Sequence, residues 1–178
     1  MSDIEFITDR EIYEKVLLGA VPSAERFVWL ATADLKDLYA AKGRGMVPFL
    51  EILSDLVARQ VAVRLLHAKE PGPRFREDFD RYPNLIEGME RMLCPRVHFK
   101  SVVVDGRVAY SGSANLTGAG MGAKSPDRRN FEAGFLLREE AWVERVMNQF
   151  DAVWRGEHCA ACRRKDFCAD FRDILNPA

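Results

Sequence analysis

The chain has 178 residues, of which 48% are hydrophobic and 30% charged, the composition of an ordinary globular protein rather than a disordered or low-complexity one. Its length favours one domain. The 26 basic and 27 acidic side chains nearly cancel, which argues against a uniformly basic nucleic-acid coat protein or a polybasic membrane binder. No stretch approaches the roughly 18 apolar residues of a membrane span, and the first residues lack a secretory signal. We therefore expect a cytoplasmic protein that does not bind membranes.

Strand and helix patterns alternate along the first half of the chain. An apolar run without alternation predicts a strand buried on both faces, and the strand–helix–strand unit that it opens predicts a parallel pair. In chain order, the predicted elements are a strand at 4–7, a helix to Leu18 capped by Thr8 or Asp9, the buried strand at 26–32, a helix at 47–59 and a strand at 61–66.

The second half begins with a proline-rich loop and closes with an amphipathic helix. Its predicted elements are a loop at 70–74, a helix at 85–93, strands at 96–104 and 107–113, a glycine-rich polar loop at 118–129, a strand at 131–137 and the helix at 139–154. The whole predicts an α/β fold, with helices on both faces of a mixed β-sheet. We assign residues 1–155 to this domain and expect 156–178 to form a tail packed on it.

The two strands around Asp105-Gly106 read as a hairpin with a two-residue turn. Such a turn pairs His98 with Ser113 and Lys100 with Ser111, so these side chains share one face of the sheet.

Asn115 continues along that face, whereas Gly112 falls on the opposite one, where a missing side chain permits close backbone approach. Polar groups of this kind do not enter an apolar core without partners. The pattern therefore predicts a polar site on a rigid element.

These residues resemble the signature of the phospholipase D superfamily, the HKD phosphodiesterases. In this sequence the signature is His98-x-Lys100-x4-Asp105-x6-Gly112-Ser113-x-Asn115, and every position matches at the family spacing. The glutamate that follows the motif in the family has a counterpart in Glu132. The resemblance implies a phospholipase D-like fold with one half-site per chain.

The resemblance also implies hydrolysis of a phosphodiester through a covalent phosphohistidine, without a cofactor. One copy of His98 attacks phosphorus and a second copy protonates the leaving oxygen. Lys100 and Asn115 hold the nonbridging oxygens, Ser113 belongs to the same site, and Glu132 holds a histidine tautomer. Asp105 sits in the turn and is given a supporting role away from the phosphate.

A second His-x-Lys, His67-Ala68-Lys69, lacks the rest of the motif, and we do not assign it to the site. With one complete copy per chain, the resemblance implies a homodimer that shares one active site.

The substrate class is predicted by analogy with the family as DNA. The segment from Arg91 to Asn130 carries seven basic and two acidic residues, so a basic surface is expected around His98. In the glycine-rich loop, Lys124, Arg128 and Arg129 either contact a polynucleotide backbone or are solvated charges on a mobile loop. The alternatives are a phospholipid or a small phosphodiester as substrate, and a non-catalytic, metal-stabilised nucleic-acid-binding module.

Three of the four cysteines crowd the tail as Cys159-x2-Cys162-x5-Cys168. A Cys-x2-Cys pair supplies two thiolates on one turn and is typical of a structural zinc site. We favour Cys94 as the fourth ligand, with His158 as the alternative. An iron–sulfur cluster uses the same ligands, and thiols without a metal are the remaining interpretation.

Overall fold

A computed structural model describes residues 3–171, in which strands and helices alternate. The strands are β1 (Ile4–Thr8), β2 (Phe27–Thr32), β3 (Tyr39–Lys42), β4 (Gly45–Pro48), β5 (Ala62–His67), β6 (Met89–Leu93), β7 (Lys100–Val104), β8 (Val108–Gly112) and β9 (Ala133–Leu137). The helices are α1 (Arg10–Ile12), continued by a π-helix over Tyr13–Ala20 and a 3-10 turn over Val21–Ser23, then α2 (Phe49–Ala58), α3 (Pro73–Phe79), α4 (Asn84–Gly88), α5 (Glu140–Trp154) and a 3-10 turn over Lys165–Phe167. No helix in the described range is long and apolar enough to cross a membrane.

Seven of these strands form one mixed sheet in the order β1-β9-β8-β7-β2-β5-β6, while β3 and β4 pair separately. β2, β5 and β6 are parallel, as the strand–helix–strand pattern predicted for the first two. β7, β8, β9 and β1 are antiparallel to their neighbours. The hairpin of β7 and β8, which carries part of the motif, therefore lies near the centre of the sheet, beside β2.

Both faces of the sheet are covered, which confirms the predicted α/β class. The larger core packs the first helical segment and α2 on one face, with Leu17, Leu30 and Leu56 fully buried. On the other face, α5 buries Phe150 and Val143 against the sheet. Apolar residues recur every three or four positions along α5, as the sequence predicted for a helix that packs on a sheet.

The helix predicted at 85–93 is wrong in its second half. The chain forms α4 only to Gly88 and then extends into β6, which pairs with β5 in parallel. A Cβ on Gly88 would lie 2.2 Å from Cγ1 of Val57, so the chain passes too close to α2 for a side chain there. Because Leu85, Met89 and Met92 have helical spacing, the sequence pattern did not separate the two elements.

Three smaller predictions also differ from the structure. Residues 45–48 form β4, so α2 begins at Phe49 rather than at 47. The loop predicted at 70–74 gives way to α3 at Pro73, a residue suited to the first turn of a helix. Asp9 occupies the N-cap position of α1 without capping it, because its Oδ1 accepts the N–H of Glu132 at 2.8 Å.

The predicted register of the β7–β8 hairpin is wrong by one residue. Asp105 and Gly106 have φ of 54° and 70°, and Arg107 N donates to Val104 O at 3.0 Å, as in a tight turn. The ladder nevertheless pairs Val104 with Val108 and leaves Arg107 as an extra residue. β7 also pairs with β2 up to this point, since Asp105 N donates to Phe27 O at 3.0 Å.

Candidate active site

The motif side chains gather where β7 begins and β8 ends. In the observed register Lys100 pairs with Gly112, and Ser101 pairs with Ser111. The prediction that Lys100 faces Ser111 and that Gly112 lies on the opposite face is therefore wrong: Lys100 and Gly112 share a face.

Gly112 makes room for a neighbouring ring on that face. A Cβ on Gly112 would lie 2.3 Å from Oη of Tyr110 and 2.5 Å from the carbonyl oxygen of Ala133. Burial raises the pKa of Tyr110 to about 12, so its hydroxyl is neutral at physiological pH. The glycine of the motif thus accommodates a buried tyrosine behind the site.

Lys100 and His98 form the centre of the site. Lys100 is only 8% exposed, and its ammonium forms no ion pair with a carboxylate of residues 3–171. It donates to the carbonyl oxygen of His98 at 2.6 Å and lies 3.3 Å from His98 Nδ1. An ammonium has three donors and no acceptor, so the third N–H is left for another acceptor. A buried cation without a counter-ion is costly, and an anionic ligand would relieve that cost.

The imidazole of His98 is exposed. Because an ammonium can only donate, its contact with Nδ1 requires that nitrogen to be unprotonated, which places the neutral ring's proton on Nε2. His98 therefore presents Nε2 to solvent beside a buried positive charge.

Asn115 is oriented by the loop that follows β2. Its Oδ1 accepts the backbone N–H of Ala33 at 3.2 Å and of Asp34 at 3.1 Å. Two N–H donors determine which end of the carboxamide is the oxygen. The amide nitrogen therefore points away from this loop and keeps its two donors for a ligand.

Sequence reasoning missed this supporting loop. Thr32 Oγ1 accepts Leu116 N at 3.0 Å and donates to Asp34 O at 2.7 Å, which holds the Asn115 segment against the end of β2. The available signal was a pair of polar residues, Thr32 and Asp34, directly after a buried strand.

Glu132 is engaged by neighbours other than His98. Ser113 Oγ donates to its Oε2, and Asn130 Nδ2 donates to Oε1 at 3.0 Å. Asp9 closes the arrangement from the first helical segment, because Asp9 and Glu132 exchange two further hydrogen bonds at 2.8 and 2.9 Å. Within the described chain no hydrogen bond joins Glu132 to His98, so its role toward a histidine stays a prediction.

Asp105 lies at the far end of the hairpin from Lys100. At ~3.4 Å per strand residue, five residues separate the two by roughly 17 Å. Its carboxylate accepts three backbone N–H groups at the start of β2: Glu25 at 2.9 Å, Arg26 at 2.8 Å and Phe27 at 2.9 Å. Burial works against ionisation, but these donors outweigh it and lower the pKa of Asp105. This geometry fits the supporting role expected for it.

The three loop cations lie on a segment with regular backbone turns. Met121 is fully buried, and Arg128 N and Arg129 N both donate to Ser125 O, at 2.9 and 3.1 Å. Lys124 and Arg128 are exposed, and Arg129 is half-buried. The segment joins the site through Asn130, which bonds Glu132.

The second His-x-Lys, His67-Ala68-Lys69, differs from the motif pair in its surroundings. His67 is buried with its Nδ1 2.9 Å from Lys69 O, and burial lowers its pKa. A buried neutral imidazole bonded to backbone is a structural group.

All four cysteines line one cavity of about 260 Å³ on the α5 side of the sheet, and His158 lines it as well. Hydrogen bonds from the Arg164 backbone and the Arg96 side chain lower the pKa of Cys162. Burial, together with the nearby thiols of Cys94 and Cys159, raises the pKa of Cys168. Within residues 3–171 no three Cys, His, Asp or Glu side chains form a ready-made metal site.

A family model described as "Cardiolipin synthase, PLD-like domain" matches residues 17–154. The chain therefore belongs to the phospholipase D superfamily, a superfamily of phosphodiesterases. No curated protein sequence matches it.

Solved structures share its fold. The phospholipase D family member Nuc from Salmonella typhimurium has a TM-score of 0.64 at 15% identity, covering 85% of this chain and 93% of its own. NucT from Helicobacter pylori has a TM-score of 0.61 at 12% identity, covering 85% and 96%. TrmBL2, an archaeal chromatin protein that binds DNA, has a TM-score of 0.57 at 14% identity, covering 86% of this chain and 52% of its own.

Proposed function

We propose that this protein is a phosphodiesterase that hydrolyses DNA through a phosphohistidine intermediate, in an active site shared by two copies of the chain. The observation that carries the proposal is the buried ammonium of Lys100, which has a free N–H and no carboxylate partner among the described residues. It lies beside an exposed imidazole. The free donors of Asn115 add a second contact for phosphoryl oxygens.

The chemistry divides between the two copies. Lys100 turns from Nδ1 of one neutral His98 to the phosphoryl oxygens, which leaves Nδ1 to carry the proton of the ring. The unprotonated Nε2 then attacks phosphorus and forms a P–N bond as the P–O bond to the leaving group breaks. The partner subunit's His98, as imidazolium, gives its proton to the departing oxygen. Water then attacks phosphorus, loses its proton to the partner subunit's His98, and releases the first imidazole. Lys100 and Asn115 stabilise the charge on the nonbridging oxygens in both steps.

The second copy is required because one chain supplies one imidazole in this position. Exposed apolar side chains support this assembly: Phe131, next to Glu132, is 95% exposed, and Phe6, Phe135 and Trp142 are also exposed, the last two lining one groove. Phe6 and Phe135 contact each other across β1 and β9, with ring centroids 5.4 Å apart. Clustered apolar surface of this kind marks interaction sites.

DNA is proposed as the substrate for two reasons. The segment from Arg91 to Asn130 carries a net charge of +5, which doubles in a dimer. Exposed Lys124 and Arg128 lie on the loop that leads into Glu132, where they suit contacts to phosphates without sequence specificity.

The test is hydrolysis of bis(p-nitrophenyl) phosphate in buffer without added metal ions, with plasmid DNA and phospholipid vesicles assayed beside it. We expect turnover of the chromogenic diester and nicking of DNA, with intact phospholipid. His98→Gln and Lys100→Met should lose this turnover, whereas the exposed tail variant Lys165→Met should keep it. DNA binding without cleavage by the wild-type protein would instead support the non-catalytic binding module.

Two further measurements test the mechanism and the assembly. Intact-mass spectrometry after an acid-free quench of the reaction with bis(p-nitrophenyl) phosphate should reveal a wild-type chain that carries a p-nitrophenyl phosphoryl group and an unmodified His98→Gln chain. Sedimentation should give a dimer, and Phe6→Asp should weaken both dimer and activity. Full activity from a strictly monomeric protein at the assay concentration would exclude the shared site.

A further inference from the structure

The cysteine cavity is built from two distant parts of the chain. Cys94 follows β6, whereas the other three thiols belong to the segment after α5. The cavity uses every cysteine that the protein has. Because Cys94 and Cys159 are 65 positions apart in the sequence, their meeting is a product of the fold and not of local sequence.

Backbone contacts hold each part of this cavity in place. Cys94 N donates to the carbonyl oxygen of His67 at 2.8 Å, which fixes it at the end of the sheet. The Cys168 thiol donates to Leu93 O at 3.5 Å, and Asp170 Oδ2 accepts Leu93 N at 2.6 Å. The tail therefore bonds both backbone polar groups of the residue that precedes Cys94.

The remaining two thiols lie on a tight turn at the end of α5. Gly156, at φ +75°, ends the helix, and Cys159 N donates to its carbonyl oxygen at 2.9 Å. Cys162 N then donates to Cys159 O at 2.9 Å, so the Cys-x2-Cys pair is a single backbone turn. This is the local geometry with which paired cysteines present two sulfurs to one ion.

The chemistry of the wall selects the class of ligand. No Asp or Glu side chain of the described residues lines the cavity, and its other walls are largely apolar, with Met92, Val97, Phe99 and Val153 among them. Sulfur and imidazole donors in such surroundings favour a borderline-soft cation over Mg²⁺ or Ca²⁺, which take oxygen ligands.

We infer that the cavity is a structural Zn²⁺ site with four thiolate ligands, Cys94, Cys159, Cys162 and Cys168. Since no ready-made metal site exists among residues 3–171, binding must draw the Cys159–Cys162 turn toward Cys94 and Cys168. Such coupling between metal binding and local folding is common in small metal sites. Binding also releases the thiol protons to solvent, including the one that Cys168 donates to Leu93 O. His158 also lines the cavity, but its place next to Cys159 in the chain makes it the poorer ligand.

The consequence for the active site is positional. The residues that line the cavity include Cys94, Arg96, Val97 and Phe99, which surround His98 in the chain. Val97 N donates to Cys94 O at 2.9 Å, so Cys94 begins the turn that leads to His98. An ion bound to Cys94 therefore secures the segment that delivers His98 to the site. This last step rests on the proposed function, whereas the metal site itself does not.

Metal analysis of protein purified without chelator tests the site independently of any activity. We expect about one zinc per chain and protection of the four thiols from a thiol reagent until a strong chelator is added. Because this measurement uses the wild-type chain, it does not depend on whether a cysteine variant folds. Absence of metal, or iron with inorganic sulfide, would overturn the zinc assignment.

Variants then test the ligand set. Cys94→Ser and Cys168→Ser should lose zinc and melt at lower temperature, whereas His158→Gln should retain both the zinc and the melting temperature of the wild-type protein. Zinc loss in His158→Gln with retention in Cys94→Ser would overturn the assignment of Cys94. For the positional effect, zinc removal should lower kcat more than it raises KM, with recovery on adding Zn²⁺. Unchanged kinetics in a zinc-free protein would refute only the effect on His98.

Discussion

Replacement of Asp105 by asparagine should destabilise the fold while leaving the chemistry of the site in place. The carboxylate binds three backbone N–H groups at the start of β2 and is 4% exposed. Asparagine retains one acceptor oxygen and turns an N–H₂ group toward the remaining donor. The variant therefore loses one acceptor and the charge that strengthens the other two bonds.

The expected cost follows from these bonds. Hydrogen bonds to a charged group contribute ~1.5–3 kcal/mol against ~0.5–1.5 for neutral ones, so the two weakened bonds cost about 1 kcal/mol each. The unmet N–H of Glu25, an exposed residue, adds about 1 kcal/mol because water replaces part of the lost bond. The total of about 3 kcal/mol corresponds to a fall in Tm of roughly 6–12 °C for a domain of this size.

Urea and thermal unfolding at pH 7 measure this difference, with the exposed Asp80→Asn as matched control. The pKa of Asp105 is lower in the folded protein than its usual ~3.9. Its stabilising effect is therefore complete above the usual value and is lost as the pH falls through the folded-state pKa, so the gap between wild type and variant should close there. A variant within ~0.5 kcal/mol of wild type at pH 7, or a gap that persists on acidification, would refute the reasoning.

Other expected outcomes test the remaining parts of the site. The free energy of unfolding of His98→Gln, measured in urea, should lie within ~0.5 kcal/mol of the wild-type value, because the imidazole is exposed. A large loss of stability would mean that the lost activity of this variant reports misfolding. Asn115→Asp keeps the acceptor for Ala33 and Asp34 but replaces the donors with a negative oxygen, so kcat/KM should fall by about 10²–10³ with Tm unchanged; activity near wild type would remove Asn115 from phosphate binding. Gly112→Ala should lower the free energy of unfolding by about 1–3 kcal/mol or more in a thermal melt, because its Cβ would lie 2.3 Å from Tyr110 Oη and 2.5 Å from Ala133 O. The double variant Gly112→Ala/Tyr110→Phe should recover part of that loss, and no recovery would count against the clash with the hydroxyl.

The sequence predicted the motif and the class of fold because both depend on local or periodic signals. His98, Lys100 and Asn115 were proposed from their spacing and from the family signature that they match, and the hairpin from its Asp105-Gly106 turn. Spacing did not give the register of the hairpin. A turn with Asp105 and Gly106 at positive φ is compatible with a ladder that begins at Arg107 or at Val108, and the extra residue Arg107 is evident only from the observed strand pairing.

Long-range partners were the other class of feature that the sequence could not supply. Asp9 and Glu132 are 123 positions apart and exchange backbone and side-chain bonds. Nothing in the local pattern around either residue encodes that meeting, and Asp9 was instead assigned to a helix cap. Cys94 lines the same cavity as the tail cysteines, and so does His158, so the choice of Cys94 as fourth metal ligand stays a prediction.

Backbone groups near the two ends of β2 bind two residues of the motif. At the first end three backbone N–H groups bind Asp105, and just past the other end two backbone N–H groups bind Asn115. The spacing between Asp105 and Asn115 in the signature thus spans the length of the six-residue strand β2. Transplanting the motif to another scaffold would therefore require a central strand of the same length. An insertion in β2 would move apart the N–H groups that bind Asp105 and those that bind Asn115, although it changes no residue of the signature.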